Sequence, residues 1–178
     1  MLSIPVTMTT SQGRFPWGSN DPTLRLRVFV AAVIASFAAG LLLRSYYKQA
    51  DFKADFSVAW FGASALMNGG NPYALVGPGR IYDWEWPLLY PVTALVPVIP
   101  FTLLSEQVAA LSFIGLSTFL LVWGTTTKSW HLLPIFVSEA FASSARLAQW
   151  SILMTAALFI PLLGPPCRRE CVGAGCFW

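Results

Sequence analysis

Charged residues are scarce in this chain. Asp, Glu, Lys and Arg together make up 11% of its 178 residues, while hydrophobic residues make up 56%. Because a soluble domain carries a charge at roughly a quarter of its positions, part of this surface must face lipid. The net charge is only +3, and the basic residues form no dense cluster of the kind that a nucleic-acid-binding surface requires. We therefore exclude nucleic acid as a partner.

Cysteine is absent from the body of the chain, which excludes a disulfide framework or a thiol site there. Cys167, Cys171 and Cys176 all lie in the final stretch, and their spacing is not that of paired zinc ligands. We expect no metal site and no cofactor. The composition changes abruptly at residues 165–178, which we interpret as an atypical tail of a chain that stops early or leaves its original reading frame. The alternative is a real metal site or a redox tail.

Long apolar runs predict an all-α membrane protein. The first run, residues 28–43, would form a helix of about 24 Å, and snorkelling by Arg27 and Arg44 can complete a span of about 30 Å. Further spans are predicted over residues 86–105, 107–127, 130–145 and 147–164. The first of these should be kinked or broken, because Pro97 and Pro100 fall inside it. We predict four or five transmembrane helices.

The basic residues before the first span set the predicted orientation. Several arginines lie among residues 1–27, so the positive-inside rule places the N-terminus in the cytoplasm. We expect residues 1–23 to be a flexible cytoplasmic tail and residues 24–164 to be a multi-pass domain of the plasma membrane. The loop at about 45–86 would then be extracytoplasmic.

A polar and aromatic insert in this loop concentrates the ionisable groups. Asp51 and Asp55 are four residues apart, so on a helix they would share one face, where a second carboxylate and a low dielectric raise the pKa of at least one. Such a group could act as a general base. Helical spacing from Phe56 to Met67 predicts an amphipathic helix in the membrane interface, with its aromatic face toward lipid. The alternative is that the acids only complement the helix N-terminus.

Acids and aromatic residues alternate in the second half of the insert. The candidate substrate-binding residues there are Tyr73, Arg80, Asp83, Glu85 and Tyr90, together with the earlier Asp51. Carboxylates beside aromatic rings suit a sugar, whose apolar face stacks on a ring while its hydroxyls bond the acids. The alternative is that the aromatic residues only anchor the chain at the membrane surface. Arg80 could bind a phosphate or pair with Asp83.

Two ionisable residues within or near the predicted span over residues 130–145 suggest a different class of protein. Glu139 and Arg146 lie seven residues apart, and charged residues within a membrane often line a transport path. A small transporter subunit is therefore an alternative function. The concentration of acids and aromatic residues in a loop, rather than at mid-membrane, argues against it.

The order of these features resembles the N-terminal part of glycosyltransferase family 87, membrane mannosyltransferases that use polyprenyl-phosphate mannose. The resemblance covers roughly residues 25–160, but Val92 stands where the family usually has a second proline, and family members are considerably longer. The matching residues are Asp55 and Phe56 after the first span, then Ala59, Ala63 and Ala65, then Gly69, Gly70, Asn71, Pro72 and Tyr73, then Tyr90 and Pro91, then Pro97 and Pro100.

The resemblance implies a truncated GT-C-like fold and an inverting hexosyl transfer, with Asp55 as the catalytic general base. The donor would be a polyprenyl-phosphate sugar, the acceptor a lipid or glycan, and Arg80 a candidate for the leaving phosphate. The implied partners are membrane lipid, the lipid-linked donor and a partner chain that supplies missing helices. The alternative is a non-catalytic membrane fragment.

Overall fold

The computed structural model describes residues 22–49 and 51–159, and these residues are mostly helical. None of them belongs to a β-strand, so the all-α prediction is confirmed for this part of the chain. The α-helices are α1 (Pro22–Lys48), α2 (Asp55–Met67), α3 (Pro72–Leu75), α4 (Val92–Leu95), α5 (Glu106–Lys128), α6 (Glu139–Arg146) and α7 (Trp150–Phe159). Two segments, Val96–Leu103 and Trp130–Val137, are 3₁₀-helical.

Two of these helices, α1 and α5, are long and apolar enough to cross a membrane. With 27 and 23 residues, they extend about 40 Å and 35 Å, beyond the roughly 30 Å of a hydrocarbon core. The buried face of α1 is narrow and consists mainly of alanine, which lets neighbouring backbones approach closely; its buried residues are Ala31, Ala35, Ala38 and Leu42. Other α1 positions expose large apolar side chains such as Phe29 and Phe37.

The helices alternate in direction along the bundle. Glu106 begins α5 beside Ser57 of α2, at the end of the bundle where α1 finishes. We call this the α2 end. Residues 129–147 then lead back from the far end of α5, because Leu147 lies next to Asp55 with an N to O distance of 2.8 Å. Helix α7 runs away again beside α5, from Phe113 toward Gly124.

The predicted span over residues 86–105 does not form one long helix. Its first residues are irregular, and α4 continues directly into the 3₁₀ segment Val96–Leu103. Pro97 and Pro100 cannot donate the hydrogen bonds that an α-helix needs, so the predicted interruption by proline is confirmed. The segment packs on α2, where the Trp60 indole N–H donates to the Phe101 carbonyl oxygen at 3.1 Å.

Two other predicted spans also differ from continuous helices. Residues 130–145 form the 3₁₀ segment Trp130–Val137 followed by the short α6. The span predicted over residues 147–164 contains α7, which is Trp150–Phe159. Residues 1–21 and 160–178, which include most of the predicted N-terminal tail and the whole atypical C-terminal tail, lie outside the described residues.

Helix α2 has the predicted limits but not the predicted environment. It ends at Met67 with Asn68 as its C-cap, because Gly69 adopts a left-handed conformation with φ of 71° and the Gly70 N–H bonds back to the Ala65 carbonyl oxygen. Its aromatic side chains face protein instead of lipid. Phe56 is fully buried and stacks on Phe113 at 4.4 Å between ring centroids. The prediction of an aromatic, lipid-facing side is therefore wrong, because α4, α5 and the first 3₁₀ segment cover that side.

Candidate functional site

Asp55 begins α2 in contact with the turn that joins α6 to α7. Its backbone N–H donates to the Leu147 carbonyl oxygen at 2.8 Å, so a distant segment satisfies one of the free N–H groups at this helix start. The turn is a Schellman motif with Ala148 in the left-handed position, at φ of 50°. The Gln149 N–H closes this motif on the Ser144 carbonyl oxygen at 2.9 Å. The end of α6 therefore holds Gln149 beside Asp55.

The Asp55 carboxyl group is half-buried, and this burial raises its pKa above the usual range. A hydrogen bond from the Gln149 side chain acts in the opposite direction, because it favours the charged form. The Gln149 Oε1 atom accepts from the Ser144 hydroxyl at 3.1 Å, which leaves the amide N–H groups to donate to the carboxylate. Asp55 therefore has a positioned donor and an environment that favours uptake of a proton.

The pKa of Tyr90 is also shifted at this site. Its pKa is raised, first by burial and then by the negative charge of Asp55. Its ring packs against Trp150 with centroids 5.8 Å apart, and its backbone carbonyl oxygen accepts a hydrogen bond from the Tyr73 hydroxyl at 3.0 Å. The Tyr90 side chain is therefore held against the first turn of α7, close to Asp55.

The loop after α3 folds back so that its acids face the start of α2. Gly77, with φ of 144°, donates from its N–H to the Tyr82 carbonyl oxygen at 3.1 Å, which brings the two arms of the loop together. The Gly79 N–H donates to Asp83 Oδ1 at 2.9 Å and fixes that side chain. Lys53 Nζ donates to the Asp83 carbonyl oxygen at 2.7 Å and so ties the loop to the segment that precedes α2.

Two clefts meet at Asp55. The polar cleft has a volume of about 590 Å³ and is lined by Gln49, Asp51, Phe52, Lys53, Asp55, Pro78, Asp83, Trp84 and Glu85. The aromatic cleft has a volume of about 170 Å³ and is lined by Asp55, Val58, Trp84, Trp86, Pro87, Leu89 and Tyr90. Asp55 and Trp84 line both clefts, so a molecule in either one would contact the same carboxylate and the same indole.

This arrangement has the chemistry of a hydroxyl-rich ligand site. Carboxylates accept hydrogen bonds from hydroxyl groups, and the face of an aromatic ring can cover the apolar face of a sugar. Trp84 is half-buried, and the Lys53 ammonium group lies 5.9 Å from its ring centroid. Among the described residues, no group of three or more His, Cys, Asp or Glu side chains could hold a metal ion.

The structure brings most of the predicted site residues together. Asp51, Asp55, Asp83 and Glu85 line the polar cleft, and Tyr90 lines the aromatic cleft. Asp51 is not on a helix with Asp55, since α2 begins only at Asp55, so the predicted shared helical face is wrong. The two carboxylates line the same cleft, and the raised pKa of Asp55 comes from burial and not from a second carboxylate as predicted.

Tyr73 and Arg80 line neither of these clefts. The Tyr73 hydroxyl is bonded to the Tyr90 backbone, as described above. The Arg80 guanidinium group donates to the Val76 carbonyl oxygen at 3.5 Å. Among the described residues, Arg80 forms no ion pair with Asp83, and its guanidinium group lies outside the polar cleft. Phosphate binding by Arg80 stays a prediction.

Glu139 and Arg146 form an ion pair with an N to O distance of 3.1 Å. Their side chains are 77% and 46% exposed, respectively. They face each other on the surface of α6, where a seven-residue separation places them on one side of the helix. That these two residues face a polar path through the membrane stays a prediction.

Sequence reasoning missed four residues of the site: Gln49, Lys53, Trp84 and Gln149. Nothing in the spacing of Gln149 relates it to a carboxylate more than ninety positions earlier. Trp84 carried a signal, since it lies between Asp83 and Glu85 in the aromatic insert. No protein-family model, curated protein or solved structure matches this chain. Its function is therefore inferred from the site itself.

Proposed function

We propose that this protein is a membrane glycosyltransferase that moves a hexosyl group, such as mannosyl, from a polyprenyl-phosphate donor to a lipid or glycan hydroxyl. One observation carries the proposal. A half-buried carboxylate with a raised pKa lies where an acidic, aromatic cleft meets the end of a helix that can span a membrane. A lipid-linked sugar must present its reactive carbon at such a boundary, because its chain stays in the bilayer.

Asp55 is the general base in this proposal. Its carboxylate takes the proton of the acceptor hydroxyl while the hydroxyl oxygen bonds to the anomeric carbon from the face opposite the phosphate. The bond between that carbon and the phosphate oxygen breaks, and its electron pair leaves with the phosphate, so the anomeric configuration inverts. A positioned base of suitable pKa contributes about 10² to 10⁴ in rate, and the raised pKa of Asp55 brings it toward neutral pH.

The sugar is bound in the polar cleft. Trp84 provides the aromatic surface, and the carboxylates of Asp51, Asp83 and Glu85 accept hydrogen bonds from sugar hydroxyls. Tyr90 and the aromatic cleft lie on the other side of Asp55, where the acceptor hydroxyl would approach. The two clefts share the Asp55 carboxylate, as a base that acts between donor and acceptor requires.

Four segments cross the plasma membrane in this proposal: α1, α5, residues 129–147 and α7. The return of residues 129–147 to the α2 end, and the direction of α7 beside α5, support this topology. The α2 end, with the candidate site, faces the extracytoplasmic side in this proposal, because Arg14 before α1 and Arg25 and Arg27 in its first turns keep the N-terminus in the cytoplasm. Outward apolar residues on α1 leave room for a partner chain that supplies further helices.

The decisive experiment compares Asp55→Asn with the wild-type protein in liposomes that contain polyprenyl-phosphate mannose and a lipid acceptor. We expect at least a hundredfold loss of transfer with unchanged membrane insertion, because asparagine keeps the shape of the side chain but cannot accept the proton. Glu139→Gln is the matched control, since it removes a carboxylate outside both clefts.

Retained turnover in Asp55→Asn would refute Asp55 as the base. Wild-type protein that neither binds the donor nor transfers sugar, with or without a co-expressed partner chain, would favour the non-catalytic fragment. Solute flux that disappears in Glu139→Gln would instead favour the transporter subunit.

A further inference from the structure

A basic pocket lies beside the polar cleft at the α2 end of the bundle. It has a volume of about 350 Å³ and is lined by Ser45, Lys48, Gln49, Phe52, Ser143, Arg146 and Leu147. Gln49 and Phe52 also line the polar cleft, so the two spaces are neighbours separated by these side chains. The Leu147 carbonyl oxygen accepts from the Asp55 N–H, which keeps the pocket next to the candidate base.

The two spaces have opposite charge. Four carboxylates and one ammonium group line the polar cleft, whereas the charged residues that line the basic pocket are Lys48 and Arg146. The carboxylate of Glu139 lies outside the lining, where it accepts from Arg146 and from the Ser143 hydroxyl. A phosphate placed among the four carboxylates would be repelled, because like charges repel each other at short range near a protein surface. The sugar and the phosphate of one donor are therefore best accommodated in different spaces.

Both cations of the pocket are available to an anion. Arg146 pairs with Glu139, but both side chains are substantially exposed, and an exposed ion pair contributes little. Among residues 22–49 and 51–159, Lys48 has no carboxylate within ion-pair distance. Each cation also lies in the last turn of its helix, where it complements the helix dipole. That role does not require the two side chains to line a common pocket.

We propose that the basic pocket binds the phosphate group of a polyisoprenoid lipid, with Lys48 and Arg146 as its ligands. This inference rests on the proposed function and deepens it. The sugar lies across Gln49 and Phe52 in the polar cleft, and the lipid chain extends from the pocket into the bilayer. Basic pockets between membrane helices bind phosphate headgroups in the same way. Lys48 and Arg146 thereby take the role that the sequence assigned to Arg80.

The test measures binding to the full chain in nanodiscs of phosphatidylcholine, which add no anionic lipid. The probes are polyprenyl phosphate, polyprenol and inorganic phosphate. We expect polyprenyl phosphate to bind, polyprenol to bind at least tenfold more weakly, and inorganic phosphate to bind more weakly still. Lys48→Gln and Arg146→Gln should each weaken polyprenyl-phosphate binding about tenfold, because each removes a hydrogen bond to a charged group. Higher salt should weaken wild-type binding in the same direction.

Three matched variants serve as controls. The first is Arg44→Gln, because Arg44 lies one turn before Lys48 on α1 but does not line the pocket. The second is Arg80→Gln, which removes a cation near the polar cleft. Both should bind polyprenyl phosphate like the wild type. The double variant with Lys48→Arg and Arg146→Lys keeps both charges and should retain most of the binding, which separates loss of charge from loss of folding.

Unchanged binding in Lys48→Gln and Arg146→Gln would overturn the proposal, as would equal binding of polyprenol by the wild type. Inorganic phosphate that binds as tightly as polyprenyl phosphate would overturn the lipid as the source of the phosphate. Asp55→Asn should bind polyprenyl phosphate normally. Normal binding without transfer by the wild type would therefore count against the proposed function alone, and transfer that is insensitive to Lys48→Gln and Arg146→Gln would count against the pocket alone.

Discussion

The hydrogen bond between Ser57 and Glu106 is expected to hold the candidate site onto the membrane bundle. Ser57 is fully buried in the first turn of α2, two residues after Asp55, and its hydroxyl donates to Glu106 Oε1 in the first turn of α5. The bond therefore joins the helix that carries the candidate base to α5, one of the two helices that are long and apolar enough to cross a membrane. Ser57→Ala removes the donor and leaves the carboxylate without it.

The expected loss of stability is about 1.5 kcal/mol. A hydrogen bond to a charged group contributes about 1.5 to 3 kcal/mol, and the lower end applies because Glu106 is only partly buried and water can replace part of the bond. Glu106→Ala should cost a similar amount, since it leaves the buried Ser57 hydroxyl without its acceptor. In the double variant the two losses should not add, and a coupling free energy of about 1 kcal/mol is expected.

The measurement is unfolding by denaturant in a fixed lipid and detergent mixture. The wild type, the two single variants and the double variant are compared with a common slope of unfolding free energy against denaturant concentration. Thr155→Ala is the control, because its hydroxyl bonds only to the Ser151 carbonyl oxygen within exposed turns of α7. That variant should change stability by less than about 0.5 kcal/mol. Strict additivity of Ser57→Ala and Glu106→Ala, or stability unchanged in Ser57→Ala, would refute the role given to this bond.

Two further predictions concern the packing of α7 and the titration of Asp55. Gly124→Ala should destabilise the protein by about 1 to 3 kcal/mol, because the added methyl group would lie 2.5 Å from Cβ of Phe159. Gly115→Ala on the same helix is the control and should not destabilise the protein, because its methyl group would meet nothing within 4 Å. Gln149→Leu should raise the pKa of Asp55 further, because it removes a hydrogen bond that favours the carboxylate. A general base works only when it is unprotonated, so the variant should begin to lose transfer activity at a higher pH than the wild type as the pH falls.

Thermal unfolding checks the Gly124→Ala prediction, and equal melting temperatures for Gly124→Ala and Gly115→Ala would contradict the close packing of Gly124 against Phe159. A ¹³C-carboxyl NMR titration of Asp55 and the pH dependence of transfer check the Gln149→Leu prediction. The raised pKa also predicts that stability falls as pH rises through the window between the ordinary and the raised value, because the folded state binds more protons there. A titration of Asp55 unchanged by Gln149→Leu would show that the amide does not act on the carboxylate.

The helices themselves were largely predictable from local sequence. The apolar stretches identify α1 and α5, because only long uncharged segments can remain in lipid. The glycines after Asn68 identify the end of α2, since few other residues adopt the left-handed conformation found at Gly69. Pro97 identifies the break in the segment after α4, because it cannot donate the hydrogen bond of an α-helix.

The site could be predicted only in part. Asp55 and the acids of the loop stood out by composition, because ionisable residues are rare in this chain. Their partners could not be found in the same way. Gln149 reaches Asp55 through the turn at Ala148, and the two cations of the basic pocket come from helices almost one hundred positions apart.

Sequence alone therefore determined which segments are apolar, where α2 ends, and which part of the chain concentrates its acids and aromatic residues. These are local properties of hydrophobicity and backbone conformation. Tertiary structure alone decided that α2 is covered by protein, that Arg80 lies outside the polar cleft, and that Lys48 and Arg146 share a pocket. Those relations depend on how distant segments pack, and neighbouring residues along the chain do not encode them.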